Sequence, residues 1–284
     1  MLWIIYSSKY DEEADNPAKR MLAEAVNQGI ESELLYFNYF RVDGNNLYYK
    51  DNIVENFPDV AFLRCNEIWL AEFLESKNVR VINNSYSIKH CKDKLLTHQI
   101  VDELGYKGIK TVTLGNKKYK ELVKLFGPVF ILKIRDGLQG KDIYLIENKK
   151  QFKSIVKTID KNNFLAQEYI ITSYGRDVRL YFVGDQFIAA CERRNENSFI
   201  SNIAQGGLTY EVSLKKSDID KAREIKTALQ GEIITIDFVY GENELIFCEA
   251  NTNAGFQSFA YLGYDMRKIF MNYIKESEKK RAQN

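Results

Sequence analysis

The first third of the chain alternates apolar runs with amphipathic segments, and this alternation constrains the fold more than any other feature. Leu2–Ser8 predicts a buried strand, and residues 16–29 predict a helix with Asn16 as N-cap, Pro17 at its first position and Gly29 as its stop. Further strands are predicted at 32–40, 60–64 and 79–84, a helix at 67–78, and a hairpin or strand pair within 45–66. Such alternation predicts a small α/β domain with a parallel sheet over residues 1–90.

The rest of the chain changes character. Residues 85–106 predict one helix capped by Ser85, and residues 91–166 predict a small α+β lobe with a β-hairpin whose tip is Asp136–Lys141. Long strands from Gln167 onward predict an antiparallel sheet in a third unit, residues 167–284, with helices at 217–230 and 265–275. We expect the last ten residues, KESEKKRAQN, to be frayed and solvated.

Composition excludes several classes of protein. Forty Lys and Arg residues nearly balance 39 Asp and Glu residues, without the basic excess typical of nucleic-acid proteins, so we expect no nucleic-acid partner. No run approaches the ~20 apolar residues of a membrane helix, and the N-terminus lacks the pattern of a signal peptide, so we expect a cytoplasmic protein with no membrane partner. The four cysteines show no metal-binding spacing and are expected to be free thiols.

The segment FCEANTNAGF, residues 247–256, ends a predicted strand with three oxygen-bearing side chains on one face: Glu249, Asn251 and Asn253. A loop of odd length at Gly241–Asn243 would place Asp237 opposite Phe247 and on that same face. Two carboxylates and an amide are suitable ligands for Mg²⁺. The alternative is a solvated polar face, since Asp and Glu are mostly exposed.

Two lysines are candidates for contacts with an anion. Lys133 interrupts the apolar strand VFILKI, and Gly137 and Gly140 follow it, which suits backbone contacts to phosphate. Lys94 lies on a predicted helix face. Each signal is weak alone, because neither segment has the P-loop spacing and a lysine is usually solvent-exposed.

A third cluster combines arginines with a polar loop. Asp177 and Arg179 share a strand face, Arg193 and Arg194 end the next predicted strand, and Ser201–Gly207 follows as a glycine-bearing loop. Guanidinium groups bind phosphate and carboxylate groups bidentately, which favours an anion site. An ordinary salt-bridged sheet surface remains the alternative.

Taken in order, these segments resemble the ATP-grasp superfamily, in particular its RimK/LysX-like branch of carboxylate–amine ligases. The resemblance covers most of the chain and rests on INNSYSIKHCKDKL, ILKIRDGLQGKDI, LAQEYI, the strand pair from Gly175 to Gly207, and the hairpin that ends in FCEANTNAGF. It implies the ATP-grasp fold, with α/β and α+β parts: a Rossmann-like N-terminal (pre-ATP-grasp) domain, a small lid lobe and a C-terminal antiparallel-sheet lobe.

The resemblance also implies roles for individual residues. ATP would lie between the small lobe and the C-terminal sheet, and Mg²⁺ would occupy two positions, with Mn²⁺ as an alternative ion. The implied nucleotide contacts are Lys94, Lys133, Gln139, Gly140, Gln167, Glu168, Tyr169, Ile170 and Asp177, and the implied metal ligands are Asp237, Glu249 and Asn251. The implied catalytic residues are Arg179, Arg193 and Asn202, and the implied substrate contacts are Arg64, Arg194, Gly206, Gly207 and Asn253.

The implied reaction joins a carboxylate to an amine through an acyl phosphate, adding an amino acid to a small-molecule, peptide or protein carboxylate. Two alternatives remain: a ligase that crosslinks a precursor peptide as a macrocyclase, and a nucleotide-binding module without catalysis. Members of this branch suggest a homodimer or homotetramer. Gln205 and Ile200 stand where such proteins often have basic residues, which leaves the usual amino-acid substrate in doubt.

Overall fold

In the computed structural model, residues 1–7, 16–137 and 142–283 are described, apart from the side chain of Ala204. Most of the predicted hairpin tip, with Gln139 and Gly140, lies outside these residues. All four cysteines are free, as predicted. Within the described ranges, no helix is both long and apolar enough to cross a membrane.

The N-terminal part contains the parallel sheet that the sequence predicted. Its elements, numbered in chain order, are β1 (Leu2–Tyr6), α1 (Pro17–Asn27), β2 (Ser32–Tyr36), β3 (Phe40–Asp43), β4 (Asn46–Tyr49), β5 (Asn52–Ile53), β6 (Val60–Arg64), α2 (Ile68–Ser76) and β7 (Arg80–Ile82). The sheet has the order β2-β1-β6-β7 with all pairs parallel. Every residue of β1 and β6 is buried, as expected of central strands covered on both faces. The strands β3, β4 and β5 form a separate antiparallel sheet.

The single helix predicted at residues 85–106 is wrong, because the chain forms two helices there. They are α3 (Ser85–Lys92) and α4 (Lys94–Glu103). Asp93 separates them: its carboxylate accepts hydrogen bonds from the Leu95 and Leu96 amides in the first turn of α4 and forms an ion pair with Arg135. An aspartate that bonds to backbone amides favours a helix start over a helix interior. The cap of α3 is Asn84, not Ser85.

The middle part forms an antiparallel sheet of four strands. Its elements are β8 (Thr111–Thr113), α5 (Tyr119–Phe126), β9 (Phe130–Ile134), β10 (Ile143–Ile146), α6 (Lys149–Ile155) and β11 (Phe164–Glu168). The strand order is β10-β9-β11-β8. The predicted hairpin is confirmed, because β9 and β10 pair with Lys133 opposite Ile143.

The C-terminal part is built on the predicted antiparallel sheet. It comprises β12 (Arg176–Val183), β13 (Gln186–Arg194), β14 (Leu208–Glu211), α7 (Lys216–Ala228), β15 (Ile233–Tyr240), β16 (Leu245–Asn251), α8 (Gln257–Tyr261) and α9 (Met266–Gln283). The sheet order is β14-β13-β12-β15-β16. The prediction of a frayed tail is wrong, since α9 continues to Gln283. Buried Phe270 and Ile274 anchor the first half of this helix.

One apolar core joins the N-terminal sheet to the large sheet. Phe62 of β6 packs edge-on against Phe270 of α9, with ring centroids 5.9 Å apart, and Phe270 also contacts Tyr181 of β12 at 5.8 Å. This packing places the carboxyl ends of β1 and β6 beside the polar face of the large sheet. The domain boundaries at residues 90 and 166 stay predictions.

In the last hairpin Asp237 and Glu249 lie on one face, as predicted, but the strand register that brings them together differs from the predicted register. The turn spans four residues, Gly241–Glu244, and Phe238 opposes Phe247, so the predicted odd-length loop and the pairing of Asp237 with Phe247 are wrong. A β-bulge at Cys248 then shifts the register by one residue, and Asp237 faces Glu249. Because one extra residue reverses which face the side chains occupy, the bulge brings both carboxylates to one side.

Candidate active site

Two adjoining pockets lie on the polar face of the large sheet. The first pocket lies between the middle sheet and the large sheet, and ten of the predicted residues line it: Lys94, Lys133, Gln167, Glu168, Tyr169, Ile170, Asp177, Asn202, Glu249 and Asn251. The second pocket lies between the large sheet and the carboxyl ends of β1 and β6. Asn202, Glu249 and Asn251 line both pockets, so the two spaces meet at these residues.

The end of β11 forms one wall of the first pocket. Ile109, Ile131 and Ile170 line this region and supply apolar surface suited to a flat ring. Gln167 is only 2% exposed, and its Nε2 lies 2.6 Å from Thr111 Oγ1 and 3.1 Å from His98 Nε2. The side chain of Gln167 is therefore held by the core, which leaves backbone groups of this segment for a ligand.

Two buried lysines form a cationic wall. Lys133 of β9 is 5% exposed, and Lys94 at the start of α4 is 8% exposed. Lys94 Nζ donates to the Gly137 carbonyl at 2.6 Å, which ties α4 to the end of the hairpin strand. Burial lowers the pKa of Lys94, although the negative charge of Glu249 opposes this effect. Such desolvated cations suit an anionic ligand in the first pocket.

A buried cluster of two arginines and two aspartates lies beneath the junction. Arg179 binds Asp237 bidentately, with Nε–Oδ1 at 2.8 Å and Nη2–Oδ2 at 2.5 Å. Arg193 binds Asp177 in the same way, at 2.7 and 2.5 Å, and also donates to Asp237 at 2.9 Å. Burial alone would raise the pKa of Asp237, but Arg179 and Arg193 more than offset it, so the pKa lies below its ordinary value.

The three predicted metal ligands are not equivalent. Asp237 is 1% exposed, lines neither pocket and accepts three hydrogen bonds from arginines. Glu249 is half-buried and lines both pockets, and the described residues place no cation within ion-pair distance of it. Asn251 Oδ1 accepts one hydrogen bond, from the Asn253 amide at 2.8 Å. Oxygens of Glu249 and Asn251 therefore fit a hard cation that completes its shell with phosphate and water.

The second pocket collects the predicted substrate residues Arg64 and Asn253 together with Arg179 and Arg193. Its wall on the N-terminal side comes from the ends of β1 and β6, where ligands commonly bind in sheets of parallel strands. The structure therefore brings together residues that lie almost 200 positions apart in the sequence.

Three predicted substrate residues lie elsewhere. Arg194 points away from Arg193, lines neither pocket and pairs with Glu192. Gly206 is exposed, and Gly207 is buried in the loop behind Asn202; neither lines a pocket. Of the two unusual residues, Ile200 lines the first pocket, whereas Gln205 lies on the exposed side of its loop.

Two residues that contribute to the site were not predicted from the sequence. His98 supports Gln167 from below, and its ring packs edge-on against Phe247 of β16, with ring centroids 5.3 Å apart. Lys92 lines both pockets, and its Nζ donates to the Asn66 carbonyl at 3.2 Å. The lysine spacing in CKDK was a signal for Lys92, but the position of His98 depends on tertiary packing.

Comparison with solved structures defines the class of the fold. A RimK domain ATP-grasp protein from Sphaerobacter thermophilus superimposes with a TM-score of 0.73 at 15% identity, covering 95% of this chain and 98% of that chain. The ATP-grasp ligase PsnB, in complex with a precursor variant, Mg and ADP, superimposes with a TM-score of 0.71 at 13% identity over 97% of both chains. The chain has the ATP-grasp fold.

The sequence identifies the family within that fold. Residues 91–274 match the RimK-like ATP-grasp domain, and the chain belongs to this family. The family predicted from the motifs is confirmed. A probable alpha-L-glutamate ligase of Parasynechococcus marenigrum is 27% identical over 279 residues, which cover 90% of this chain. The chain spans only 59% of the length of that relative.

Proposed function

We propose that this protein joins a carboxylate to an amine at the expense of ATP, through an acyl phosphate that forms where the two pockets meet. The observation that carries this proposal is the shared lining by Glu249, Asn251 and Asn202. A nucleotide in the first pocket and an acceptor in the second would meet only there.

The first pocket suits a nucleotide triphosphate. Its apolar end beside Ile109, Ile131 and Ile170 accommodates the base, and Lys94 and Lys133 face the phosphates. Glu249 and Asn251 would hold Mg²⁺, which supplies positive charge to the transferred phosphoryl group when bound. Asp237 would join this set only after a local rearrangement, since it is buried beneath the two arginines and lines neither pocket. The number of metal ions and the use of Mn²⁺ stay predictions.

The chemistry explains why no nucleophilic side chain is needed. A carboxylate is a poor electrophile, and phosphorylation gives it a good leaving group, so that an amine attacks the acyl carbon and releases phosphate. Phosphoryl transfer depends mainly on alignment and positive charge. Arg179 and Arg193 line the second pocket next to the junction, and their guanidinium N–H groups that the aspartates do not use would donate to the acyl end of the substrate.

The relatives suggest the first substrate to test. Because several of them are named as probable alpha-L-glutamate ligases, we take L-glutamate as the first amine. The carboxylate substrate would be a small molecule or the end of a peptide or protein. Assembly as a homodimer or homotetramer stays a prediction.

A second candidate function is modification of a precursor peptide. It is supported by the similarity in fold to PsnB, which was solved with its precursor. A ligase of this kind would form crosslinks within one peptide, whereas the first proposal joins two separate molecules. Mass spectrometry separates the two, because an internal crosslink removes water from the peptide and adds no second molecule.

The test is a screen for ADP release. Wild-type protein, Mg²⁺ and ATP are incubated with pairs of amino acids and carboxylates, including short peptides. We expect at least one pair to release ADP well above the rate without substrate, and Lys133→Met to abolish that release. If every pair stays at background while an ATP analogue still binds, the protein is a nucleotide-binding module and the proposed function is wrong.

A further inference from the structure

Arg64 is a buried cation with very few partners. It ends β6, is 7% exposed and lines the second pocket. Its Nη2 donates to the Ala254 carbonyl at 3.0 Å, and within the described ranges its Nε and Nη1 have no hydrogen-bond partner. Rings of Phe62 and Phe256 flank the guanidinium, each with its centroid 5.8 Å away. The side chain is held in place, but its hydrogen-bonding capacity is mostly unused.

Arg64 also lacks a balancing charge. Among the described residues, no carboxylate lies within the 4.0 Å that defines an ion pair with it. The nearby phenol of Tyr181 is neutral, since burial raises its pKa despite the opposing charges of Arg64 and Arg179. Arginine stays protonated in proteins, and an unpaired buried charge is costly. By contrast, Arg179 and Arg193 are matched by Asp237 and Asp177.

The position of Arg64 indicates which anion it would bind. Arg64 lines the second pocket but not the first, so a nucleotide phosphate is not its ligand. It holds the carbonyl of Ala254, three residues beyond Asn251, and Asn253, Gln257 and Ser258 line the same side. Like Arg64, these three residues line the second pocket and not the first.

We propose that Arg64 binds a carboxylate of the amine substrate, one that takes no part in the reaction. This inference rests on the proposed function. An amino acid that attacks through its amine keeps a permanent carboxylate, whereas the acyl substrate loses the charge of its reacting carboxylate on activation. The planar guanidinium matches a carboxylate bidentately.

The test is calorimetric binding to protein preloaded with Mg²⁺ and a non-hydrolysable ATP analogue. The probes are L-glutamate, L-alanine, 4-aminobutyrate and L-glutamine. Of these, 4-aminobutyrate lacks the α-carboxylate of glutamate, and L-glutamine lacks the side-chain carboxylate. We expect Arg64→Met to weaken L-glutamate binding about 30-fold or more, with Arg64→Lys in between. The exposed Arg41 provides a matched control, and Arg41→Met should bind like the wild type.

The analogues show which carboxylate Arg64 holds. The analogue that lacks the carboxylate held by Arg64 should bind the wild type weakly. Its affinity should not fall further in Arg64→Met. The inference is overturned if Arg64→Met binds L-glutamate as tightly as the wild type, if the substitution weakens every probe equally, or if the wild type binds none of the amino acids. Binding of the ATP analogue is measured in the same titrations, and its failure would count against the proposed function instead.

Discussion

Asp237 and Glu249 face each other across β15 and β16, yet their carboxylates have opposite surroundings. Asp237 is 1% exposed and is held by Arg179 and Arg193, while Glu249 lines both pockets without an ion pair among the described residues. One carboxylate therefore fixes the arginines, and the other is available to a ligand. This division of roles leads to separate predictions for the two residues.

Glu249→Gln should remove the function of the available carboxylate while keeping its shape. We expect ADP release with a productive substrate pair to fall at least ~100-fold, because the amide lacks the charge that attracts Mg²⁺ at the phosphates. The measurement is coupled ADP release at saturating Mg²⁺. Unchanged stability in denaturant serves as the control, and full retention of ADP release would refute the metal role of Glu249.

Asp237→Asn should act mainly on stability. Removing this charge leaves Arg179 buried without its bidentate partner, which we expect to lower the free energy of unfolding by about 3–5 kcal/mol. Asp51→Asn is the matched control: this exposed pair with Arg41 should change stability by less than ~1 kcal/mol. Urea denaturation measures both, and equal effects would contradict the account of the cluster.

The lowered pKa of Asp237 adds a pH dependence to that experiment. A carboxyl whose folded pKa lies below the ordinary 3.8 stabilises the fold above that value, and the contribution is lost as the pH falls through the folded pKa. Wild-type protein should therefore lose more stability than Asp237→Asn as the pH falls below about 4.

His98 predicts a second pH effect, at higher pH. Burial lowers its pKa from 6.5 to about 3, so the folded protein keeps the ring neutral while the unfolded chain takes up a proton below pH 6.5. Stability contributed by the neutral ring is lost as the pH falls, by about 1.4 kcal/mol per pH unit between 6 and 4.

The comparison is between wild type and His98→Gln, in denaturant titrations from pH 8 to pH 4. The variant should show a shallower loss of stability below pH 6 and the same slope as the wild type above pH 7.5. Parallel curves across the whole range would mean that His98 titrates normally in the folded protein.

Gly207 predicts an effect on the loop that carries Asn202. A Cβ atom at Gly207 would lie 2.0 Å from the Ser201 carbonyl oxygen, so Gly207→Ala must displace the loop backbone. We expect a loss of about 1–3 kcal/mol in the free energy of unfolding. Gly255 has open space around its Cβ position, and Gly255→Ala should stay within about 0.5 kcal/mol of the wild type. Equal stability of the two variants would show that the loop adapts freely.

The alternation of strands and helices in the N-terminal sheet could be predicted from the sequence, because hydrophobic periodicity reports it directly. The order of the motifs also pointed to Lys94, Lys133 and Glu249 as candidate site residues, and all three line the first pocket. The sequence could not reveal the bulge at Cys248, because an extra residue in a strand pair depends on the partner strand. The pairing of Asp237 with two arginines and the outward position of Arg194 likewise depend on register and on which face of β13 packs inward.

The central claim is that an acyl phosphate forms from the substrate carboxylate, and oxygen transfer tests it most directly. The carboxylate of a productive pair is labelled with ¹⁸O, and the products are analysed by mass spectrometry. The account predicts ADP as product and one ¹⁸O atom in the released inorganic phosphate. Release of AMP carrying the label, with unlabelled pyrophosphate, would show activation through an adenylate and contradict the claim.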